Sequence, residues 1–597
     1  MDRIIPTGNE YVSLPAINEA TAAIESITFL MMAQKGMVEL RGSDSAPFIA
    51  PFVRQGDKML PLTGLSWQRD RFWIPSVTAS AEGLTFTMTV LAPPGERGFA
   101  VRLALSGAPA PADASCDREA LSIGLCGAFG EAWHCVNENK PLEGSRHCYA
   151  SGWNGSFIFD MRCGFPLFAF APMADRPCST AFQPDGSSWE ISCTGQKELT
   201  VFFGLGFEEV AAATSAKEML RRTWQAEYDK TARWLDARIR TLRTPALTRI
   251  YNTNLFFCLF YSTGVTLDTE ELICATSRSS RYYVSAAYWD RDSLLWSFPA
   301  VLDADPALAR SILEYVFTRQ QRNFGIHSRY IDGTVLEPGI ETDELVAPVL
   351  ALSAYVDATG DASLLSEHFI TAGVGSILKK LAALKHPEAD LYETFLQPTD
   401  DEHVYPYLTY DNVLVWRAMK ALSRLFPARY AGLDSRAEAV RRAIRTNCIF
   451  HSPDGKPYYA WSVDLAGRHD VYDEPPGSLQ LLPYYGFCSP EDETWLNTVA
   501  MIRSPDYAYS FAGSPVAEIG CPHAPYPWVL SLCNSLLCGH SEQALKELEF
   551  IPMDNGIACE SVDPLTGECT TGAAFGTCAG FLCHALLTAD KEVLYER

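Results

Sequence analysis

Residues 213–242 read ATSAKEMLRRTWQAEYDKTARWLDARIRTL, and the hydrophobic pattern of the chain changes at this stretch. Apolar side chains recur every three or four residues with charges between them, which is the pattern of an amphipathic helix. Before it, apolar residues alternate with polar ones; after it, the helical spacing continues. The stretch therefore predicts a helical linker, residues 213–245, between a β-domain, residues 1–212, and a helical domain, residues 246–597.

The predicted β-domain consists of short alternating runs separated by Gly, Pro, Asn and Asp. Examples are RFWIPSVTAS at 71–80, LTFTMTVLAPP at 84–94 and KELTVFFGLG at 197–206. A period of two residues is typical of strands with one buried face. Many short strands joined by turn residues indicate an antiparallel β-sandwich.

The helical domain is divided by breakers such as Pro306, Gly360 and Pro427. The spacing and the breakers predict twelve helices. They lie near residues 246–264, 290–302, 306–320, 341–358, 362–384, 409–426, 432–450, 476–486, 490–503, 525–538, 541–550 and 571–589. Twelve is the number of helices in an (α/α)6 barrel, although a different merging of segments gives about ten or fourteen.

Charge and hydropathy exclude several classes of partner. The chain has 72 acidic and 48 basic residues and a net charge of -24. Because such a chain is repelled by phosphate backbones and anionic lipids, we expect no nucleic acid and no membrane partner. Apolar runs fall far short of the roughly 20 residues of a membrane span. The opening residues lack a basic start followed by an apolar core, so we expect a cytoplasmic protein.

The 18 cysteines are scattered along the chain. Several, such as Cys533 and Cys578, lie in apolar helical runs, which favours buried free thiols over disulfides. Because the sequence contains no CxxC pair and no histidine at ligand spacing, we expect no metal and no cofactor.

A first candidate site segment is YWDRDS, residues 288–293, at the start of the second predicted helix. Trp289 offers a flat apolar face to a sugar ring, and Tyr288 is a further candidate contact. Arg291 and Asp292 can bind paired hydroxyl groups through charge-assisted hydrogen bonds. The alternative interpretation is a helix cap with an internal ion pair.

A second segment, LEPGIETDE at 336–344, opens the fourth predicted helix. Its four carboxylates include Glu337 and Glu341, which are candidate substrate contacts. Acidic residues in a first helical turn also interact favourably with the helix dipole, so a purely structural role stays open.

Two further segments supply the candidate acid and base. ETFLQPTDDEH, residues 393–403, crowds Asp400 and Asp401 beside other acids, and such repulsion can keep one carboxyl protonated as a general acid requires. A solvated loop or a calcium site is the alternative. DNGIACESVD, residues 554–563, places Glu560 in an apolar context that suits a general base, or else a helix cap.

In order and position these segments resemble the six-hairpin glycosidases: glucoamylase, trehalase, the processing-α-glucosidase-like enzymes and, nearest in motif, the metal-independent exo-α-mannosidases. YWDRDS is similar to their W-x-R-D element, which implies a terminal-sugar subsite at Trp289, Arg291 and Asp292. QPTDD, residues 397–401, is similar to R-P-S-D-D near the family's acid. The resemblance implies Asp400 as the acid, with Asp401 as the alternative.

The base follows from the same resemblance. Cys559-Glu560-Ser561 is similar to the mannosidase H-E-S pattern, which implies Glu560 as the base. Gln397 stands where the family has arginine, and the residues after Glu560 lack the family's acids and arginine. The sugar, mannose or glucose, therefore stays open.

The resemblance implies an inverting, exo-acting glycoside hydrolase that cleaves a terminal α-linked hexose from short oligosaccharides or glycosides. The loop CPHAPYPW, residues 521–528, is expected to add Trp528 to the sugar-binding wall. An inverting phosphorylase, a non-catalytic glycan-binding protein and a polysaccharide lyase are the alternatives. The sequence leaves open whether the protein forms a homo-oligomer and what the β-domain does.

Overall fold

A computed structural model of the protein describes residues 3–107 and 121–595. The chain divides into two compact units. Residues 1–239, 263–271 and 278–286 form the first, called here the sheet-rich unit, and residues 240–262, 272–277 and 287–597 form the second, the helical unit. Within the described ranges, no helix combines the length and apolar character needed to cross a membrane.

Strands make up most of the sheet-rich unit. They are β1 (Ile4–Gly8), β2 (Val12–Asn18), β3 (Ile24–Met31), β4 (Gly36–Arg41), β5 (Ala50–Gln55), β6 (Lys58–Leu60), β7 (Thr63–Asp70), β8 (Ile74–Ala81), β9 (Leu84–Leu91), β10 (Gly98–Ser106), β11 (Leu121–Gly127), β12 (Ala132–Val136), β13 (Glu138–Pro141), β14 (Ser145–Ser151), β15 (Ser156–Cys163), β16 (Phe165–Ala174), β17 (Ser179–Phe182), β18 (Trp189–Thr194), β19 (Glu198–Gly206) and β20 (Thr263–Val265). Strands β1 to β19 form three sheets, in the orders β1-β2-β3-β4-β12-β13, β14-β15-β16-β19-β10-β9-β8-β7 and β17-β18-β11-β5-β6.

One hydrophobic core joins the three sheets. It includes Phe29 from the first sheet, Phe170 from the second and Ile123 from the third, each at most 1% exposed. Strand β9 illustrates how a strand contributes to this core, because buried residues alternate along it with more exposed ones. The prediction of a sheet-rich N-terminal region is confirmed, and the sandwich packing stays a prediction.

The predicted single linker helix is two helices, α1 (Glu209–Arg222) and α2 (Trp224–Asp236). Thr223 separates them with a φ of 75°, and its N–H donates to the carbonyls of Met219 and Leu220. Helix α1 lies close to strand β19, where an added Cβ on Gly204 would stand 2.1 Å from the carbonyl oxygen of Ala212. The missing side chain at Gly204 is therefore what lets the α1 backbone approach the sheet.

In the part of the helical unit that the structure describes there are twelve helices, ten short strands and several tight helical turns. The helices are α3 (Pro245–Tyr261), α4 (Phe298–Ala304), α5 (Pro306–Tyr315), α6 (Thr342–Thr359), α7 (His368–Leu384), α8 (Thr409–Leu425), α9 (Pro427–Tyr430), α10 (Gly432–Asn447), α11 (Glu493–Ile502), α12 (Val529–Leu537), α13 (Ser541–Phe550) and α14 (Gly576–Tyr595). The strands are β21 (Leu272–Cys274), β22 (Ile326–Arg329), β23 (Val335–Ile340), β24 (Tyr407–Leu408), β25 (Ile449–His451), β26 (Pro457–Tyr459), β27 (Ser462–Val463), β28 (His469–Asp470), β29 (Ser561–Val562) and β30 (Cys569–Thr571). Two π-helical turns, Arg291–Ser297 and Val316–Gln320, adjoin α4 and α5.

Eleven of the predicted helical segments contain a helix in the described structure, and the segment 476–486 does not. It forms only two short turns, Pro475–Gly477 and Leu479–Leu481. The two prolines supply no backbone N–H, and the Asp473 carboxylate accepts from the Leu479 N–H at 2.7 Å. The prediction of a helix at 476–486 is therefore wrong, because side-chain capping replaces the helical ladder there.

Burial alternates along the helical unit. Helices α6, α8 and α12 are buried on nearly all sides, whereas α7, α10 and α13 bury one face. An element buried all round has neighbours on every side, and one with a single buried face borders solvent. This alternation is what two concentric rings of helices require, and the closed barrel itself stays a prediction.

The cysteines partly correct the sequence expectation. Fifteen of those described are free and most of these are buried, as expected, but Cys178 and Cys193 form a disulfide. Cys193 lies on β18, and Cys178 directly precedes β17, the neighbouring strand. The pairing brings their Cα atoms to 4.9 Å, within the span of a disulfide. Composition alone could not reveal this strand pairing.

Candidate active site

Arg291 is the centre of a buried ion-pair cluster in the helical unit. Its side chain is 1% exposed and begins the π-helical turn before α4. The guanidinium donates to Asp343 (Nε to Oδ2, 2.5 Å), to Asp400 (Nη1 to Oδ1, 2.9 Å) and to Glu341. A planar guanidinium orients several carboxylates at once, so Arg291 fixes three side chains that come from two separate chain segments.

A second buried arginine supports the same turn. Arg329, on β22, forms an ion pair with Asp290 and lies 4.8 Å from the centre of the Tyr288 ring. The Tyr288 hydroxyl donates to Asp290 Oδ1 at 2.7 Å, and the residue is fully buried. Glu344, in the first turn of α6, accepts from the Arg291 backbone N–H at 2.9 Å. Tyr288, predicted as a substrate contact, thus uses its hydroxyl to position Asp290.

Asp400 lies in the loop between α7 and α8 with a φ of 66°, in the left-handed region. Its N–H donates to the Gln397 carbonyl at 2.8 Å, which closes a tight turn. The carboxyl is 33% exposed. Burial and the charge of Glu341 raise its pKa to about 6, against the opposing charge of Arg291. A carboxyl with this pKa retains a proton in a fraction of molecules near neutral pH.

Glu474 anchors the Asp400 loop from beneath. Its carboxyl accepts from the backbone N–H and the hydroxyl of Thr399, each at 2.8 Å. Burial raises the pKa of Glu474 to about 8, and the Thr399 hydrogen bonds oppose that shift. These contacts fix the residue immediately before Asp400 and so help to hold the backbone of the candidate acid.

His327 lies on β22, close to Asp400, and was not predicted from the sequence. Its Nδ1 is 2.6 Å from Glu341 Oε1 and 3.6 Å from Asp400 Oδ1. Burial lowers the pKa of His327, but the Glu341 hydrogen bond and the Asp400 charge outweigh burial and leave the pKa raised. The Trp289 ring packs edge-on against the imidazole, with 5.9 Å between ring centres.

His327, Glu341 and Asp400 each offer a ligand atom within 4.8 Å of the others, the spacing of a metal site. Arg291, however, already contacts both carboxylates. Its fixed positive charge would repel a divalent ion placed among these atoms. The charge pattern therefore favours an ion-pair cluster over a metal centre.

Glu560 directly precedes β29. Its N–H donates to the Gly572 carbonyl at 3.2 Å, and its carbonyl accepts from the Val529 N–H at 3.0 Å. The side chain is 4% exposed, and its Oε1 lies 3.9 Å from His523 Nε2. The backbone at Glu560 is thus held from two sides.

Asp292 points toward the start of α14. Its Oδ1 accepts from the Thr577 hydroxyl at 2.7 Å. Burial raises the pKa of Asp292 to about 7, and the Thr577 hydrogen bond and the Arg291 charge oppose that rise. Burial raises the pKa of the Cys578 thiol, and the charges of Asp292 and Glu560 add to that rise. Cys578 Sγ lies 3.7 Å from the carbonyl oxygen of Cys559, so Asp292 and the segment before Glu560 both contact the start of α14.

A cleft of about 570 Å³ opens beside these groups, a volume in the usual range for small-ligand sites. Asp401 and His523 line it together with the aromatic rings of Tyr472 and Tyr509. Trp528 is 3% exposed, and its indole N–H donates to the Ala524 carbonyl at 2.9 Å. Trp528 is therefore buried beneath the part of its loop, at His523, that lines the cleft.

The structure arranges the sequence-predicted residues in two groups. Arg291, Trp289, Glu341 and Asp400 are linked through the ion-pair cluster and His327, whereas Asp401, Trp528 and Glu560 are linked through His523. Asp343, His327, Glu474 and His523 were missed. Asp343 lay inside the acidic segment and His523 inside the aromatic loop singled out from the sequence, but no spacing marked either residue.

Comparisons with known proteins bear on the class of the fold. Residues 384–587 match the family model of the metal-independent alpha-mannosidases, GH125. A curated relative, the meiotically up-regulated gene 157 protein of Schizosaccharomyces pombe, is 27% identical over 188 residues, which are 29% of this chain and 37% of the relative. The match thus spans little more than a third of the relative's length.

Two solved structures show the fold. A bacterial glucoamylase in complex with acarbose superposes with a TM-score of 0.65 at 12% identity, over 100% of this chain and 97% of that one. A Streptococcus pneumoniae metal-independent alpha mannosidase in a non-productive complex with alpha-1,6-mannobiose superposes with a TM-score of 0.53 at 18% identity. The match covers 62% of this chain and 99% of that one. The fold is therefore that of the six-hairpin glycosidases. Within that class, the resemblance to the GH125 mannosidases drawn from the motifs is confirmed.

Proposed function

We propose that the protein is an exo-acting, inverting glycoside hydrolase that removes a terminal α-linked hexose from a short oligosaccharide or glycoside. The observation that carries the proposal is Asp400, a partly exposed carboxyl with a pKa of about 6 inside the segment that matches the mannosidase family. The same segment contains Glu560. Because the family match is to mannosidases, mannose is the first sugar to test and glucose the second.

Asp400 acts as the general acid. A general acid works best when its pKa lies near the working pH, because it is then both protonated and willing to give the proton up. Asp400 transfers that proton to the glycosidic oxygen as the bond to the anomeric carbon breaks. Arg291, 2.9 Å away, stabilises the carboxylate left behind. Asp401 is the alternative acid, and the variants below distinguish the two.

Glu560 acts as the general base. It removes one proton from a water molecule whose oxygen bonds to the anomeric carbon on the face opposite the leaving group, so the configuration inverts in one step. Inverting glycosidases keep their two carboxyl groups about 6.5–9.5 Å apart to hold this water. The 4% exposure of the Glu560 side chain shields the carboxylate from bulk solvent.

The terminal sugar contacts a small set of side chains. Trp289 lies beside His327 at the ion-pair cluster, and Asp292 contacts Thr577 at the start of α14. Asp401, 44% exposed on the cleft wall, can accept from sugar hydroxyls. Glu341 acts through Arg291 and His327, and Tyr288 and Trp528 support the site from behind it. The oligosaccharide class agrees with the mannobiose bound to the pneumococcal structure.

The test is a screen of the purified protein against α- and β-linked mannosides, glucosides and galactosides, each with and without phosphate. Asp400→Asn, Asp401→Asn and Glu560→Gln are compared with Asp454→Asn and Glu493→Gln, whose parent residues are exposed outside the cleft. NMR records the anomer formed first. Hydrolysis of an α-glycoside with inversion, lost in Asp400→Asn and Glu560→Gln, supports the proposal. Retention, or turnover only with phosphate, overturns it.

A further inference from the structure

A second cavity lies in the helical unit, away from the candidate acid and base. Its volume is about 580 Å³, which is in the usual range for sites that bind small ligands. Its walls come from α7, the segment that follows α7, α8, α9 and α10. Among the described residues, it shares none with the cleft that Asp401 and His523 line. The cavity is therefore a separate feature of the helical unit.

One part of the cavity wall is apolar and is called here the apolar floor. Leu378, Leu381 and Ala382 lie on α7 at spacings of three and four residues, which places them on one face of that helix. Met419 from α8 and Leu433 from α10 complete the floor, and each is at most 5% exposed. Such side chains bind a hydrocarbon group because the contact removes apolar surface from water.

The rest of the wall carries a net positive charge. It contains Lys385, Arg429 and Arg436 against one carboxylate, Asp390. Lys385 Nζ lies 3.0 Å from Asp390 Oδ1, so these two charges offset each other. Within the described part of the chain, no carboxylate forms an ion pair with Arg429 or Arg436. In a chain with a net charge of -24, two guanidinium groups at one cavity favour an anionic ligand.

Tyr392 adds a neutral hydrogen-bond donor to the wall. The residue is 4% exposed, and its N–H donates to Asn412 Oδ1 at 2.8 Å, which holds its backbone. Burial raises the pKa of the Tyr392 hydroxyl to about 12; the charge of Asp390 adds to the rise and that of Arg436 opposes it. The hydroxyl therefore keeps its proton at neutral pH and can donate it to an anion.

We propose that this cavity binds a small organic anion with an apolar body, the class that medium-chain fatty carboxylates represent. The hydrocarbon chain lies against the apolar floor. The carboxylate accepts hydrogen bonds from Arg429, Arg436 and the Tyr392 hydroxyl. Because a guanidinium can hold a carboxylate with two parallel N–H donors, the charged end of the ligand takes a defined position. The inference does not depend on the proposed hydrolysis.

Isothermal titration calorimetry of the purified protein with octanoate tests the inference. We expect one octanoate to bind per chain. Acetate should bind at least about 10²-fold more weakly, because it lacks most of the hydrocarbon that the apolar floor removes from water. Octylammonium and 1-octanol have the same chain without the negative charge. They should bind at least about tenfold more weakly than octanoate, because charge-assisted hydrogen bonds to the guanidinium groups are lost.

Two variants locate the octanoate site. Arg436→Gln should weaken binding about tenfold. Arg442→Gln, at an exposed arginine of α10 outside the cavity, should change it less than about twofold. Gly432→Trp should abolish binding, because an added Cβ there meets open space and the indole can fill the cavity. Gly152→Trp, at an exposed glycine of the sheet-rich unit whose added Cβ also meets open space, is the matched control.

Three outcomes overturn the inference. Octanoate could fail to bind the wild type, 1-octanol could bind as tightly as octanoate, or Arg436→Gln and Gly432→Trp could both bind octanoate as the wild type does. Circular dichroism of each variant verifies that a loss of binding is not a loss of fold. Since hydrolysis does not require this cavity, each of these outcomes leaves the proposed function intact. An absence of inverting hydrolysis in the wild type defeats the proposed function and leaves the cavity inference standing.

Discussion

Removing the charge of Arg291 should destabilise the helical unit in a way that depends on pH. The guanidinium is 1% exposed and contacts Asp343, Glu341 and Asp400. Arg291→Met leaves these carboxylates with no cation at the centre. Breaking a buried ion pair by removing one partner costs about 3–5 kcal/mol, so we expect the free energy of unfolding to fall by about that much near pH 7.5.

The sign of the pH dependence follows from the carboxyl pKa values. Burial raises the pKa of Glu341, but Arg291 and His327 outweigh burial and hold it below its ordinary value. A lowered pKa stabilises the folded protein at high pH, and this stabilisation is lost as pH falls through the folded-state pKa. Without Arg291 the carboxyls bind protons more readily. The difference between wild type and Arg291→Met should therefore shrink as pH falls.

Urea unfolding, followed by tryptophan fluorescence and circular dichroism at several pH values, measures this difference. Arg291→Lys keeps one charge but not the planar fork, so we expect an intermediate loss of about 1–3 kcal/mol. Arg442→Met, at an exposed arginine on α10, is the control and should change stability by less than about 0.5 kcal/mol. A loss below about 1 kcal/mol in Arg291→Met, or one that is independent of pH, would refute the reasoning.

Three further predictions concern the acid, its loop and the sheet-rich unit. Because Asp400 has a pKa of about 6 and must be protonated to act, kcat/KM should fall as pH rises above about 6; rates flat from about pH 5 to 8 contradict this. Glu474→Gln replaces a buried carboxyl whose pKa is about 8, so this variant should retain most activity at about pH 6. Glu474→Ala should lower kcat at least about tenfold, because it releases the Asp400 loop. Equal rates for the two variants would exclude this anchoring. Gly204→Ala places a Cβ 2.1 Å from the Ala212 carbonyl oxygen and should cost about 1–3 kcal/mol in urea unfolding, while Gly152→Ala, which meets open space, should cost much less.

Local periodicity was enough to predict most elements, because apolar spacing is set by the face that each strand or helix buries. The failures occur where single residues overrule the pattern. At Thr223 one positive φ divides a continuous amphipathic stretch into two helices. At 476–486 two prolines and the Asp473 carboxylate hold tight turns in a stretch predicted to be a helix. Neither effect changes the hydrophobic period, so neither is visible in it.

The candidate site was predictable only where a motif marks it. Arg291, Asp400 and Glu560 lie in short segments with recognisable order. The contact between His523 and Asp401 joins residues 122 positions apart, and His327 on β22 lies close to Asp400 in the loop between α7 and α8. Such contacts depend on how distant segments meet in three dimensions, and one sequence contains no periodic signal for them.

The π-helical turn at Arg291–Ser297 constrains how the gene for this protein can change. A π-helical turn holds an extra residue relative to an α-helix. Loss of one codon after Arg291 would restore an ordinary helix but rotate the guanidinium by about 100° relative to the residues that follow. The arginine would then point away from its three carboxylates. This segment therefore tolerates exchange of its outward side chains far better than a change in its length, and insertions or deletions here should be absent from functional descendants.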